Sequence, residues 1–348
     1  MSRLRRALLA SFAGVLALQQ AADACTRVTY LGPDDTVVTG RSMDWMESVD
    51  TNLWAFPAGL KRSGAAESNS FSWTSKYGSV TATAYDMIST DGMNVKGLVA
   101  NLLYLSEAQY GTRDPQRPGL SIAAWAQYFL DSFATVDEAV AAVKDEPFLL
   151  VAPALIRGNS PTLHLALSDA SGDSAIFEYL GGKLVIHHGR DYQVMTNDPT
   201  YDQQLALDAY WKEIGGAAML PGTSRPSDRF VRASYYLGQS PRTADPVQSV
   251  AAMFSVMRNV SVPMGIATPG KPNVAATLWR TVSDQKNRIY YFDSTSSPNV
   301  FWVSLDKLKL GAGGQVEKLD LGRGAILAGD AADRFQAAEA FNFLSPAP

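Results

Sequence analysis

The chain is predicted to be an α+β protein. Three observations carry this. Short alternating segments rich in β-branched and aromatic residues come first, helical stretches follow, and strands, helices and strands then alternate to the end. The breaks between neighbouring strands are short and rich in Gly, Pro, Asp and Asn, which makes hairpins and a meander, both antiparallel. Hydrophobic residues make up 46% of the 348 positions and charged residues 18%, values of a globular chain with one large core.

The elements follow in order. Residues 26–31 and 36–41 alternate around Gly32-Pro33-Asp34-Asp35 and form a hairpin. Cys25 begins its first strand and Arg41 ends its second, so antiparallel pairing brings the two together. Asp44 comes just after. Segments 53–56, 71–74 and 80–85 read as strands, and the apolar run 97–105 as a buried one. Pro118-Gly119 breaks the chain before a helix over 120–133. Thr135-Val136-Asp137-Glu138 is a capping box that opens a second helix to about 143. Segments 163–167, 175–180 and 183–188 form a meander. A helix over 201–214 stops at Gly215-Gly216. Ser227 is placed as the cap of a helix to about 237. Asp245-Pro246, an N-cap followed by Pro at the first helical position, opens a helix to about 258. Segments 278–283 and 288–293 form a hairpin, 301–305 is a last strand, and the Ala-rich tail from Gly329 is taken as a helix. The sequence shows no internal repeat and no long linker.

The first 24 residues read as a cleavable secretory signal. Arg3, Arg5 and Arg6 precede an apolar run over 7–18, and Ala22-Asp23-Ala24 is a small-x-small site. The residues after Arg5-Arg6 fit a twin-arginine signal poorly. The apolar run is too short to span a bilayer. Cleavage after Ala24 leaves one domain, 25–348, outside the cytoplasm, periplasmic or secreted. The net charge of −4 becomes more negative when the signal's three Arg and one Asp are lost. An acidic chain with no basic run excludes nucleic acid as a partner.

Cleavage there also makes Cys25, the only cysteine, the first residue of the mature chain. Thiol and α-amine then sit on one residue. A thiol is mostly protonated near pH 7, and an α-amine with a pKa of about 8 can take its proton. Nucleophile and base are then supplied together. A nearby Arg favours the thiolate, and a nearby Asp can orient the amine. Taken alone, a lone cysteine is more often a small buried hydrophobe. A cysteine just after a signal can also be the lipid anchor of an envelope lipoprotein that binds a small ligand. Ala22 and Asp23 fit simple cleavage better than lipidation.

Other constellations are weak. His164, His187 and His188 show no metal-ligand spacing, and no cofactor is called for. A pairing of His164 with Cys25 is allowed by spacing but disfavoured. Ser304-Leu305-Asp306-Lys307 matches a β-lactamase motif by letters only.

Larger blocks carry a resemblance. Cys25-Thr26-Arg27, then Gly40-Arg41-Ser42-Met43-Asp44-Trp45, residues 91–98 (Asp-Gly-Met-Asn-Val-Lys-Gly-Leu), 195–200 (Met-Thr-Asn-Asp-Pro-Thr) and Leu220-Pro221-Gly222 with Arg229-Phe230 come in one order. They resemble the choloylglycine hydrolases, the penicillin V acylases and bile salt hydrolases among the N-terminal-nucleophile hydrolases. The overall look is nearest the Gram-negative penicillin V acylase branch. The resemblance implies an αββα sandwich, a small acyl-amide substrate and often a homotetramer. It implies Cys25 as nucleophile, Arg41, Asp44 and Arg229 as its charge network, and Asn197 as an oxyanion donor. Tyr104 aligns with the position whose backbone N–H is the second donor. Locally, Asn197 reads as an Asx turn before Pro199 and Arg229 as a surface helix Arg. All six family positions are kept, which argues against an inactive relative.

The substrate expectation rests on aromatics. Trp45, Trp54, Phe56, Tyr85 and Tyr104 are candidates for one pocket mouth, at least two of them being expected in the core, and Trp45 and Tyr104 are assigned to the substrate. Such rings suit a phenoxy group or a fatty chain. Penicillin V ranks first, long-chain N-acyl-homoserine lactones second and bile salts third.

Overall fold

The computed structural model describes residues 25–153, 162–268, 271–322 and 326–346. The expected signal, 1–24, lies outside the described residues. Two large sheets face each other. The first has seven strands, in the spatial order Val194–Thr196, Thr26–Leu31, Val37–Asp44, Thr277–Asp284, Ile289–Ser294, Val300–Ser304 and Gly329–Asp330. Only its last pair is parallel. The second has nine antiparallel strands: Lys183–His188, Ser174–Leu180, Leu163–Ser168, Val99–Tyr104, Ile88–Asn94, Ser79–Ala84, Leu53–Phe56, Glu317–Leu319 and Gln336–Ala337.

Helices cover the outer faces. Helix α1 (Ile122–Ser132) packs on strands Ile88–Asn94 and Val99–Tyr104, and α2 (Val136–Val143) follows it. On the other side lie α3 (Tyr201–Ile214), α4 (Pro226–Gln239) and α5 (Pro246–Asn259). Helix α4 packs on Thr26–Leu31 and Val194–Thr196, and α5 on Val37–Asp44 and Thr277–Asp284. The order helix, sheet, sheet, helix is the αββα sandwich.

Burial on both faces explains the apolar strands. In Val99–Tyr104, Val99 and Leu103 join the core shared with the seven-stranded sheet, while Ala100 and Leu102 join the core under α1. Gly40 lets α5 lie close over its strand: a Cβ there would meet Met253 Sδ and Met257 Cγ at 2.7 Å.

The caps at Thr135 and Asp245 form as expected. Thr135 Oγ1 accepts from Glu138 N at 3.2 Å, and Asp245 Oδ1 from Gln248 N at 2.9 Å. Three expectations fail, and one strand is missed. Arg41 does not end its strand, which runs on to Asp44 because Asp44 pairs with Thr277. The cap of α4 is Arg225, not Ser227, because Pro226 takes the first helical position. The tail after Gly329 is not helical. It forms two short strands and a turn of 3-10 helix, because Asp330 and Gln336 pair with Trp302 and Lys318 and bury Ala331 and Phe335. Strand Ile88–Asn94 was not foreseen at all. Its Asp91-Gly92 looks like a turn, but Gly92 sits there because a Cβ would fall 2.6 Å from the Val80 carbonyl of the next strand.

Candidate active site

The first hairpin builds the site. Arg27 pairs with Arg41 and Thr26 with Ser42. Side chains two apart on a strand share a face. Arg27 and Arg41 therefore point to the nine-stranded sheet, where they donate to the Leu167 and Leu102 carbonyls at 3.0 and 3.1 Å. Cys25 precedes the strand on that side, with its Sγ 4.0 Å from Arg41 Nη2 and 3.9 Å from the Asp44 carbonyl. Thr26, Ser42 and Asp44 point the other way, toward α4 and its Arg229.

Distant segments complete the cluster. The backbone nitrogen of Cys25 donates to Asn197 Oδ1. Asn197 Nδ2 donates to the Tyr104 carbonyl at 2.8 Å. Arg229 Nη1 donates to the Cys25 carbonyl at 2.7 Å and to Thr26 Oγ1, and it lies 3.9 Å from Asp44 Oδ2. Its Nη2 reaches Asn197 Oδ1 at 3.3 Å. Cys25, Arg41, Asp44, Asn197 and Arg229 are all buried. The structure thus brings together all six residues expected at the site. Trp45 stands beside them, its ring centroid 6.3 Å from that of Tyr104. Trp54 and Phe56 do not join it. They are buried and pack on each other and on Phe341.

Sequence reasoning missed the residues that hold this cluster. The Trp279 ring stacks on Arg41, 4.5 Å from its guanidinium carbon. Asp198 Oδ1 accepts from Ser106 N and Oγ at 2.8 and 2.7 Å and ties the Asn197 turn to the end of the Tyr104 strand. Gln204 on α3 donates to the Asn197 and Pro199 carbonyls at 2.9 and 2.6 Å and accepts from Thr196. Asp198 lies within a block that drew attention; Gln204 and Trp279 gave no local signal.

Electrostatics favour a protonated thiol. Burial pushes the Cys25 thiol up, against the pull of Arg41; Asp44 raises it further, while the Asp44 backbone contact and Arg229 lower it. The expected help from Arg41 is present but outweighed. Burial also pushes the Asp44 carboxyl up to about 6, against Arg229, Thr277, Arg41 and Arg280.

His164 does not meet Cys25. Its Nδ1 lies 3.0 Å from Glu178 Oε1, and Glu178 also accepts from Tyr201 N at the start of α3. Ser304 and Lys307 both bind Asp330, at 2.7 and 2.8 Å, and make no catalytic pair. A cavity of about 960 Å³ lies against Trp279, Phe292 and Phe301, but none of the six site residues lines it. Among the described residues no group of three or more His, Cys, Asp or Glu could hold a metal ion.

A family model of linear amide C–N hydrolases, the choloylglycine hydrolase family, matches residues 25–321. The chain belongs to the choloylglycine hydrolase family. It is a hydrolase acting on the C–N bond of linear amides. It is 51% identical to a penicillin V acylase from Pectobacterium atrosepticum, over 92% of each chain. A penicillin V acylase structure from Agrobacterium tumefaciens matches with a TM-score of 0.87 and 56% identity, covering 92% of this chain and all of that one. A bile salt hydrolase/transferase from Bifidobacterium longum is 22% identical over 79% of this chain and 93% of its own. A conjugated bile acid hydrolase structure from Clostridium perfringens, with a TM-score of 0.74 and 22% identity, shares the fold over 87% of this chain and 99% of its own. Among the described residues of this family member, no helix is long and apolar enough to cross a membrane.

Proposed function

We propose that the chain is an exported N-terminal-cysteine acylase that cleaves the amide between a hydrophobic acyl group and a small polar amine. Residues 1–24 are its signal, and 25–348 form one catalytic domain. Penicillin V is the first substrate, and long-chain N-acyl-homoserine lactones the second. Bile salts rank third, since the relatives that act on them are far less similar to this chain. By family analogy it assembles as a homotetramer.

One observation carries the mechanism: the nitrogen and thiol of Cys25 sit together among Asn197, Arg41 and Arg229. Once the signal is removed, that nitrogen is an amine. The thiol sulfur attacks the acyl carbonyl, and the thiol proton passes to the amine. Burial raises the pKa of the thiol, so a base beside it helps form the thiolate. The oxyanion takes hydrogen bonds from Asn197 Nδ2, whose second hydrogen has no partner among the described residues, and from the Tyr104 backbone. The C–N bond breaks, the ammonium returns its proton to the leaving nitrogen, and a thioester remains. Water then attacks the thioester, gives its proton to the amine and releases the acid, and the thiol is restored.

The test is penicillin V hydrolysis by the mature protein, by Cys25→Ala and by a form that keeps Ala24 ahead of Cys25. Both altered forms should be inactive with normal melting curves. Turnover above a few per cent in Cys25→Ala would move the chemistry elsewhere, and a fully active Ala24-extended form would remove the amine from the mechanism. A diacylglyceryl group on Cys25 would replace the enzyme reading with the lipoprotein.

A further inference from the structure

Arg41 is unevenly served. Its Nη2 has the Leu102 carbonyl at 3.1 Å and the Met43 sulfur at 3.4 Å. Among the described residues its buried Nε and Nη1 have no hydrogen-bond partner, and no carboxylate forms an ion pair with it. A buried cation needs a balancing charge. Across the interface between the sheets lies Asp91, fully buried on strand Ile88–Asn94.

Asp91 is tied to both neighbours of Arg41. Its register partner Asn101 precedes Leu102, the acceptor of Arg41, and Asn101 Nδ2 donates to Asp91 Oδ2 at 2.6 Å. On the facing sheet Thr281 pairs with Arg41, and its side chain is one of the groups that hold the Asp91 carboxyl down. Tyr290 from the same sheet donates its hydroxyl to Asp91 Oδ1.

We infer that Asp91 is a positioning residue of the reaction: its buried carboxylate offsets the charge of Arg41 and so sets the balance between thiol and thiolate at Cys25. The inference rests on Cys25 being the nucleophile. The charged groups that bear on Cys25 are Arg41 on the adjacent strand, Asp44 at that strand's end and Arg229 on α4. Those that bear on Asp91 are Arg41 and Tyr290. Burial pushes the Asp91 carboxyl up, and Arg41 is the leading influence holding it down. Burial and Asp91 push the Tyr290 hydroxyl well up, so its proton stays available for donation. Shape alone does not call for a carboxylate here. An Asn would fit, because among the described residues Asn101 Oδ1 lacks a partner and could accept from it after an amide flip. What Asp adds over Asn is the charge.

The chain has one cysteine, so alkylation by iodoacetamide reports Cys25 alone and needs no substrate. The mature protein is compared with Asp91→Asn and Asp91→Ser, two neutral replacements of different shape. Loss of the negative charge should make the thiol more acidic. The pH midpoint of alkylation should fall by about half a unit or more in both, because the charge of Arg41 is then no longer offset. A smaller fall, a rise, or a fall in only one of two folded variants overturns the inference. If only one variant folds, its midpoint decides. Cys25→Ala activity tests the nucleophile separately, so failure there leaves the alkylation result readable.

Discussion

Asp44 should make the folded protein less stable at neutral pH than at acid pH. The perturbation is Asp44→Asn, which holds the site in the form a protonated Asp44 has. The carboxyl is fully buried, and its pKa is pushed up to about 6. Its partner Arg229 is 3.9 Å away and spends its nearer bonds on Cys25 and Thr26. Burial therefore outweighs the ion pair. A carboxyl whose folded pKa lies above its unfolded value of about 3.9 binds its proton more tightly when folded, so stability falls as pH rises from about 4 to 6. A difference of roughly two units corresponds to about 3 kcal/mol above pH 6, and to nothing below pH 4. Thermal melts of wild type and Asp44→Asn across pH 3.5–7.5 read this directly. The variant should melt a few degrees higher at pH 7.5 and at the same temperature near pH 4. It should also lose turnover, since the Asp44 charge bears on Cys25, the proposed nucleophile. A variant that melts lower at pH 7.5 would show that the Arg229 pair wins over burial. A constant gap across the range would show that Asp44 does not titrate there.

Further outcomes follow from the same geometry. Asn197→Ala should lower kcat by roughly 10²- to 10³-fold, the loss typical of one oxyanion donor, with little change in KM; an unchanged kcat would take Asn197 out of the oxyanion site. Trp45→Ala should raise KM for penicillin V by about tenfold or more, the burial of one large ring, while the alkylation profile of Cys25 stays put. A moved profile would place Trp45 with the thiol rather than with the acyl group. Arg41→Ala should move the alkylation midpoint upward, because a cation beside Cys25 is lost. An unmoved midpoint would leave Arg41 a structural role only.

The local parts of this protein are legible in its residues. The hairpin that joins Cys25 to Arg41, the caps at Thr135 and Asp245 and the α+β order all depend on neighbours in sequence. The proposed signal, whose removal would free the Cys25 amine, is likewise read from neighbours in sequence. Asn197, Tyr104 and Arg229 are named only by resemblance, because their own surroundings in sequence point elsewhere. Asn197 reads as a turn residue and Arg229 as a surface cation, yet Asn197 meets Cys25 across 172 positions and Arg229 across 204. Only the order of strands in the seven-stranded sheet and the seat of α4 bring them there. The same holds for Trp279 over Arg41, for Gln204 under Asn197 and for Asp91 across the sheet interface. Sequence predicts the sign of the Arg41 effect on the thiol, but desolvation belongs to the packed interior, and there it outweighs Arg41. Residue types and spacing determined which chemistry the chain can attempt; burial, which has no local signature, decided the charge state in which it waits.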